Sequence, residues 1–247
     1  MNTTTLARSL DRAALDARPL PGGGSAPADT DEAYAVQEAL IARRLARGER
    51  LTGFKLGFTS LAKMRQMGVA DLIHGRLTDR MEITDGGQYD TSGLIHPRIE
   101  PEVAFLLGDT LRPGADPAAA VAAVAPALEV IDSRYKGFRF SLPEVIADNT
   151  SAAGYALGPW RALADLGNLG VLLELDGRLA QAGSTAAILG HPLRALAAAA
   201  RLAGSLEPGT VILAGAATAA VPLPPGVHVR ATVAGLGTVQ FTTEEAA

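Results

Sequence analysis

Apolar residues recur at a helical period over the first fifth of the chain and at a two-residue period beyond it. Residues 3–18 read as a first helix. The segment "ADTDEAYAVQEALIARRLARG" places Ala33, Val36, Leu40 and Ile41 at i, i+3, i+7 and i+8, one face of a second helix. Asp29 and Thr30 compete as its N-cap, and Gly48 marks its end. Between the two helices, "RPLPGGGSAP" (18–27) is a turn-rich connector whose prolines and glycines deny helix and ladder hydrogen bonds. Strand-like runs follow at 52–60, 75–83, 98–107 and 126–134, interleaved with brief helical candidates at 60–68 and 116–124. The second candidate has Asp116 as N-cap and Pro117 at the first helical position. Asp176 and Gly177 between two alternating runs predict a hairpin. "HPLRALAAAARLAG" then predicts a helix, and "TVILAGA", "VHVRATVAG" and "GTVQFTT" the last strands. The expected class is α+β: a helical portion over 1–50 and a strand-built body over 51–247, together one structural unit.

Composition narrows the chemistry. A chain of 247 residues can bury a substantial core, and 48% apolar with 19% charged residues is ordinary for a globular protein. The net charge of -4 supplies no basic field, so neither nucleic acid nor an anionic membrane is an expected partner. With no cysteine there is no disulfide, thiolate metal site or cysteine nucleophile, which fits a reducing compartment. The N-terminal residues lack an apolar core before a cleavage site, and "ALAAAARLAGSL" is too short to span a bilayer, so a cytoplasmic protein is expected. Phosphate-loop, nucleophile-elbow and paired-histidine zinc motifs are absent. The four histidines, His74, His96, His191 and His228, are scattered and read as surface or satisfied structural residues.

The carboxylates stand out in "HPRIEPEVAFLLG". On a strand Glu100 and Glu102 share one face, while Ile99, Pro101, Val103 and Phe105 take the other. Glu129 interrupts the apolar run Ala127, Leu128, Val130, Ile131. Like charges that close repel unless a cation lies between them, and an all-oxygen set without histidine or cysteine suits Mg²⁺ or Mn²⁺. The pattern alone leaves a second reading open. Glu100 and Glu102 could lie on the solvated face of an edge strand, which Pro101 would allow, with Glu129 paired to Arg134 or Arg98. Lys55, set among Phe54, Leu56 and Phe58 with glycines on both sides, either snorkels to water or faces a pocket for an anion. Asp79, Asp148, Asn149 and Ser151 add polar groups at strand or turn edges.

Taken in order, "GFKLGFTS", "KMRQMGV", "GRLTD", "HPRIEPEVAFLLG", "EVIDSRY", "ADNTSAAGYALG" and "LGHPL" give the chain more than isolated hints. From about Asp31 to Phe241 it resembles the 2-hydroxypentadienoate hydratase and 4-oxalocrotonate decarboxylase group of the fumarylacetoacetate hydrolase superfamily. The resemblance implies a central mixed β-roll or partial barrel with a divalent metal, Mg²⁺ or Mn²⁺, in its mouth. It implies Glu100, Glu102 and Glu129 as metal ligands and Lys55, Asp79 and Ser151 as catalytic residues. "KMRQMGV", "EVIDSRYKGFRF" and "TAAV" (218–221) favour the decarboxylase branch. The reaction then implied is Mg²⁺-dependent decarboxylation of 2-oxo-3-hexenedioate to 2-hydroxypenta-2,4-dienoate, a step in meta-cleavage catabolism of aromatic compounds. Alternatives are hydration of 2-hydroxypenta-2,4-dienoate, hydrolysis of an acylpyruvate C–C bond, or a silent partner subunit. The expected partners are a small 2-oxo-enoate or dienoate, further copies of the chain and a cognate hydratase.

Overall fold

The computed structural model describes residues 2–21, 26–60 and 72–245. The helical candidate at 60–68 and the motif "KMRQMGV" lie almost wholly outside these residues, as does the glycine run of the connector.

Two helices open the fold. Helix α1 (Thr3–Leu15) starts at Asn2, whose Oδ1 accepts from Thr4 N at 2.9 Å. It stops short of the expected residue 18, Ala17 turning to a φ of 49°. Helix α2 (Thr30–Ala46) settles its N-cap in favour of Asp29, whose Oδ1 accepts from Glu32 N at 2.9 Å, and buries Ala33, Val36, Leu40 and Ile41 as their spacing predicts. Their apolar faces meet the short helix α3 (Leu142–Ala147) in a cluster that includes Leu6, Leu10, Val36, Leu40, Val145 and Ile146.

The strands are β1 (Leu51–Gly57), β2 (Ile73–Thr78), β3 (Glu82–Ile83), β4 (Gln88–Tyr89), β5 (Arg98–Leu107), β6 (Val121–Ile131), β7 (Ala152–Leu157), β8 (Gly170–Leu175), β9 (Arg178–Ser184), β10 (Val211–Leu213), β11 (Val221–Pro222), β12 (His228–Val233) and β13 (Gly237–Thr243). They form a large sheet in the order β2-β1-β10-β5-β6-β7-β3, with β11 also on β5, and a smaller sheet β4-β13-β12-β8-β9. The outermost strands of the large sheet, β2 and β3, are joined by the single 3₁₀ turn Asp79–Met81, so the sheet curls back on itself. Thr52 of β1 and Tyr155 of β7 meet across that curl, hydroxyl to hydroxyl at 3.0 Å. The result is an α+β partial barrel. The smaller sheet covers one outer face through Leu128, Val130, Val229, Ala231 and Phe241, and helix α4 (Pro192–Ala203) covers another with Phe54, Leu56, Phe105 and Ile212.

Three expected elements change. The run 75–83 is broken after Thr78 by the 3₁₀ turn, and the strand expected at 126–134 begins at Val121 and ends at Ile131. The helix expected at 116–124 shrinks to a 3₁₀ turn, Ala118–Ala120; Asp116 still accepts from Ala118 N at 3.0 Å, but the alanines beyond it pair with β5. Alanine has little β preference of its own, so the long ladder with β5 decides. The hairpin at Asp176 and Gly177 forms as expected, both residues taking positive φ (51° and 70°) between β8 and β9.

Candidate metal centre

Strands β5 and β6 run antiparallel with Glu100 directly opposite Glu129, and Glu102 follows two residues on, on the same face. Each of the three offers a carboxylate oxygen, and these atoms lie within 4.8 Å of one another. All three are buried, Glu129 completely, which removes the solvated-edge reading. The other face of β5 anchors the pair in the core through Ile99, Val103 and Phe105, each 0% exposed. Pro101 fits because a residue's N and O in an antiparallel strand point to the same neighbour. Its carbonyl accepts from Ala217 N at 2.9 Å on the side where β10 has ended and β11 has not begun, so no ladder there needs the missing N–H.

Lys55 joins the trio from β1. Its Nζ lies 2.9 Å from Glu129 Oε1 and donates to Thr150 O at 3.0 Å, with the side chain 4% exposed. It does not snorkel. Glu129 therefore pairs with Lys55 and not with Arg134 or Arg98: Arg134 is engaged by the buried Asp148, and Arg98 lies over the Phe138 ring at 5.0 Å. Burial opposes the lysine's charge, but Glu129, Glu102 and Glu100 outweigh it and hold the ammonium above its ordinary pKa. Burial likewise drives Glu129 up to about 7 against the pull of Lys55. Glu102 is pushed well above the carboxylate range, first by burial and then by Glu129. Glu102 Oε2 accepts from Gly215 N at 2.8 Å, whereas Glu102 Oε1 and Glu129 Oε2 have no hydrogen-bond partner among the described residues. Buried and oxygen-only, with two carboxylate oxygens unpartnered among the described residues, the trio fits a hard divalent cation.

The turn that supplies Thr150 O is strained. Asn149, Thr150 and Ser151 adopt φ of 51°, 52° and 59°, a left-handed conformation that costs non-glycine residues about 1 kcal/mol or more each. Ser151 follows Thr150 directly, and its buried Oγ has no hydrogen-bond partner among the described residues. Gly215 is held at a φ of 104°, where a Cβ would lie 2.1 Å from Thr59 Oγ1, so only glycine can present this N–H to Glu102. Sequence reasoning did not single out Thr150 or Gly215, because each meets the charged cluster through a backbone atom that carries no residue signature.

Asp79 does not join the cluster. Lys55 pairs with Gly75, whereas Thr78 lies opposite Leu51 at the other end of β1. The carboxylate of Asp79 accepts from Arg50 N and Nε, both at 2.9 Å, and these bonds keep it below the ordinary carboxylate pKa. Expecting the strand to continue to residue 83 hid this, since the chain turns at Asp79 and delivers it to Arg50. His96 bonds Asp132 and His191 caps α4, as structural residues would, whereas His74 stacks on Tyr34 at 4.5 Å with its buried Nδ1 unpartnered among the described residues.

Residues 87–243 match the model described as fumarylacetoacetate (FAA) hydrolase C-terminal. The chain is 50% identical to a 4-oxalocrotonate decarboxylase of a Pseudomonas species, over 98% of both chains. It is 35% identical to a 2-keto-4-pentenoate hydratase of Paraburkholderia xenovorans, over 87% of this chain and 84% of that one. Among solved structures, 4-oxalocrotonate decarboxylase from Pseudomonas putida G7, complexed with magnesium and adipate, superposes with a TM-score of 0.91 at 37% identity, covering 98% of this chain and 97% of the other.

Proposed function

We infer function from the premise that this chain belongs to the fumarylacetoacetate hydrolase family: it is an enzyme, a lyase that releases CO₂ from 2-oxo-3-hexenedioate and leaves 2-hydroxypenta-2,4-dienoate. The observation that carries this reading is the buried trio Glu100, Glu102 and Glu129 with Lys55 beside it, in a chain half identical to a decarboxylase of that substrate. Higher identity to that enzyme than to the hydratase, 50% against 35%, favours decarboxylation over hydration. Adipate, held with magnesium by the similar structure, has the six-carbon dicarboxylate skeleton of 2-oxo-3-hexenedioate.

Glu100, Glu102 and Glu129 would hold Mg²⁺, which when bound supplies a Lewis acid for the 2-oxo end of the substrate. Cleavage of the C5–C6 bond sends its electron pair through the C3–C4 double bond toward the 2-oxo oxygen, and CO₂ leaves. Lys55 sets a fixed positive charge beside the trio, placed to bind the substrate's C1 carboxylate or to stabilise the charge that develops on the 2-oxo oxygen. Its ion pair with Glu129 and its bond to Thr150 O fix where that charge sits. Ser151, with an unsatisfied buried hydroxyl next to Thr150, is placed to orient a proton or water. Asp79 has no part in this constellation.

Ultraviolet absorbance with 2-oxo-3-hexenedioate and separately with 2-hydroxypenta-2,4-dienoate, each with and without Mg²⁺, tests the reading. Mg²⁺-dependent loss of the first with CO₂ release supports it; loss of the second alone makes the chain a hydratase. We further propose self-association and a complex with a hydratase that consumes the product. Size-exclusion chromatography of the chain alone and mixed with such a hydratase tests both.

A further inference from the structure

The large sheet begins at β2 and ends at β3, and among the described residues no strand ladder joins β2 to β7. Side chains of the strained turn close that seam. Asn149 Oδ1 accepts from Arg76 N at 2.7 Å while Asn149 Nδ2 donates to Arg76 O at 2.9 Å, the pair of bonds a neighbouring strand would make. Thr150 Oγ1 donates to His74 O at 2.7 Å, and Gln37 of α2 donates to that same oxygen at 2.9 Å. Two glycines make room for so close an approach. A Cβ on Gly75 would lie 2.5 Å from Asn149 O, and one on Gly57 would lie 2.7 Å from Thr150 Cγ2. Laced down at both positions, the turn has its Thr150 carbonyl fixed on Lys55 Nζ.

We propose that Asn149 and Thr150 are positioning residues: by lacing β2 to the start of β7 they hold the Lys55 ammonium between Thr150 O and Glu129, beside the cation site. The proposal rests on the reading of Glu100, Glu102 and Glu129 as cation ligands. Held there, Lys55 competes with the cation for Glu129 and keeps a positive charge ready for the substrate. Releasing it therefore has two effects of opposite sense. The trio gains net negative charge and binds a divalent cation more tightly, while turnover falls. General loosening of the fold would instead spread the carboxylates and weaken cation binding.

The test compares the full chain with Thr150→Val, Thr150→Ser and Asn149→Asp. Thr150→Val keeps the shape without the hydroxyl, and Asn149→Asp turns an oxygen toward Arg76 O. Mn²⁺ dissociation constants are measured without substrate by electron paramagnetic resonance, and kcat and KM with 2-oxo-3-hexenedioate at saturating Mg²⁺. In Thr150→Val and Asn149→Asp, Mn²⁺ should bind about threefold or more tighter. In the same variants kcat should fall about tenfold or more, with Thr150→Ser close to wild type in both. Equal or weaker Mn²⁺ binding by Thr150→Val, the milder change, overturns the proposal, as does an undiminished kcat. A wild-type chain that binds no Mn²⁺ removes the cation site and the proposal with it. One that binds Mn²⁺ without decarboxylating removes only the assigned reaction, and the Mn²⁺ comparison still decides the lacing.

Discussion

Glu129 lies where burial and Lys55 pull its proton in opposite directions, and burial raises it to about 7; Glu102 is raised further from its ordinary range. A cation entering the site displaces the protons these carboxylates hold. Its affinity should therefore climb as pH rises through about 7, with proton release measured by calorimetry in buffers of different ionisation enthalpy. Glu129→Gln or Glu102→Gln should reduce activity by at least the ~10–100-fold that changes around metal ligands produce. His74 gives a separate pH effect. Burial and then Arg76 lower its pKa to about 4 from 6.5, so below about 6.5 the unfolded chain takes a proton that the folded one refuses. Folding stability from this residue should fall as pH drops from about 6.5 toward 4, by at most about 1.4 kcal/mol for each pH unit crossed. His74→Gln should flatten the dependence of melting temperature on pH across that interval. The period-two reading of "RIEPEVAF" made the shared face of Glu100 and Glu102 legible, and the interruption of an apolar run exposed Glu129. The partner of Glu129 was not legible, because Lys55 reaches it across the barrel from a strand far away in sequence.

At the scale of elements, apolar spacing placed α1, α2 and α4, and the Asp176–Gly177 pair placed a hairpin. What escaped it were elements set by partners. Val121 to Ala125 became strand because β5 pairs with them, and the run through Asp79 broke because the barrel turns there. Helix α3, only six residues long, is too short to show a period. It is held instead by a capping box in which Ser141 Oγ accepts from Glu144 N and Glu144 Oε2 accepts from Ser141 N at 2.7 Å. Ser141→Ala should lower stability by about 1 kcal/mol, read as a drop in denaturation midpoint at unchanged slope. Since α3 leads directly into the strained turn, its cap also fixes where that turn begins.

Over the whole molecule, the helical portion and the barrel share a core: α1 and α2 cover Ile73 of β2, Tyr135 and α3, and Gln37 bonds both His74 O and Ile146 O. A fragment lacking residues 1–50 would expose this apolar surface and leave His74 O without its second donor. It should therefore fail to unfold cooperatively, as followed by circular dichroism on heating. No helix among the described residues is long and apolar enough to cross a membrane. Fold class was legible because local periods and the ordered motifs agreed, while the curl that gathers Lys55 of β1, the glutamates of β5 and Glu129 of β6 depends on pairings that no single segment records. The central claim is that the three glutamates hold the cation on which CO₂ release depends. It is tested most directly by following CO₂ from 2-oxo-3-hexenedioate as Mg²⁺ is titrated into metal-stripped protein. Release that rises from baseline and saturates in wild type but stays at baseline in Glu129→Gln is the predicted result; release unaffected by stripping, or retained in full by Glu129→Gln, would contradict it.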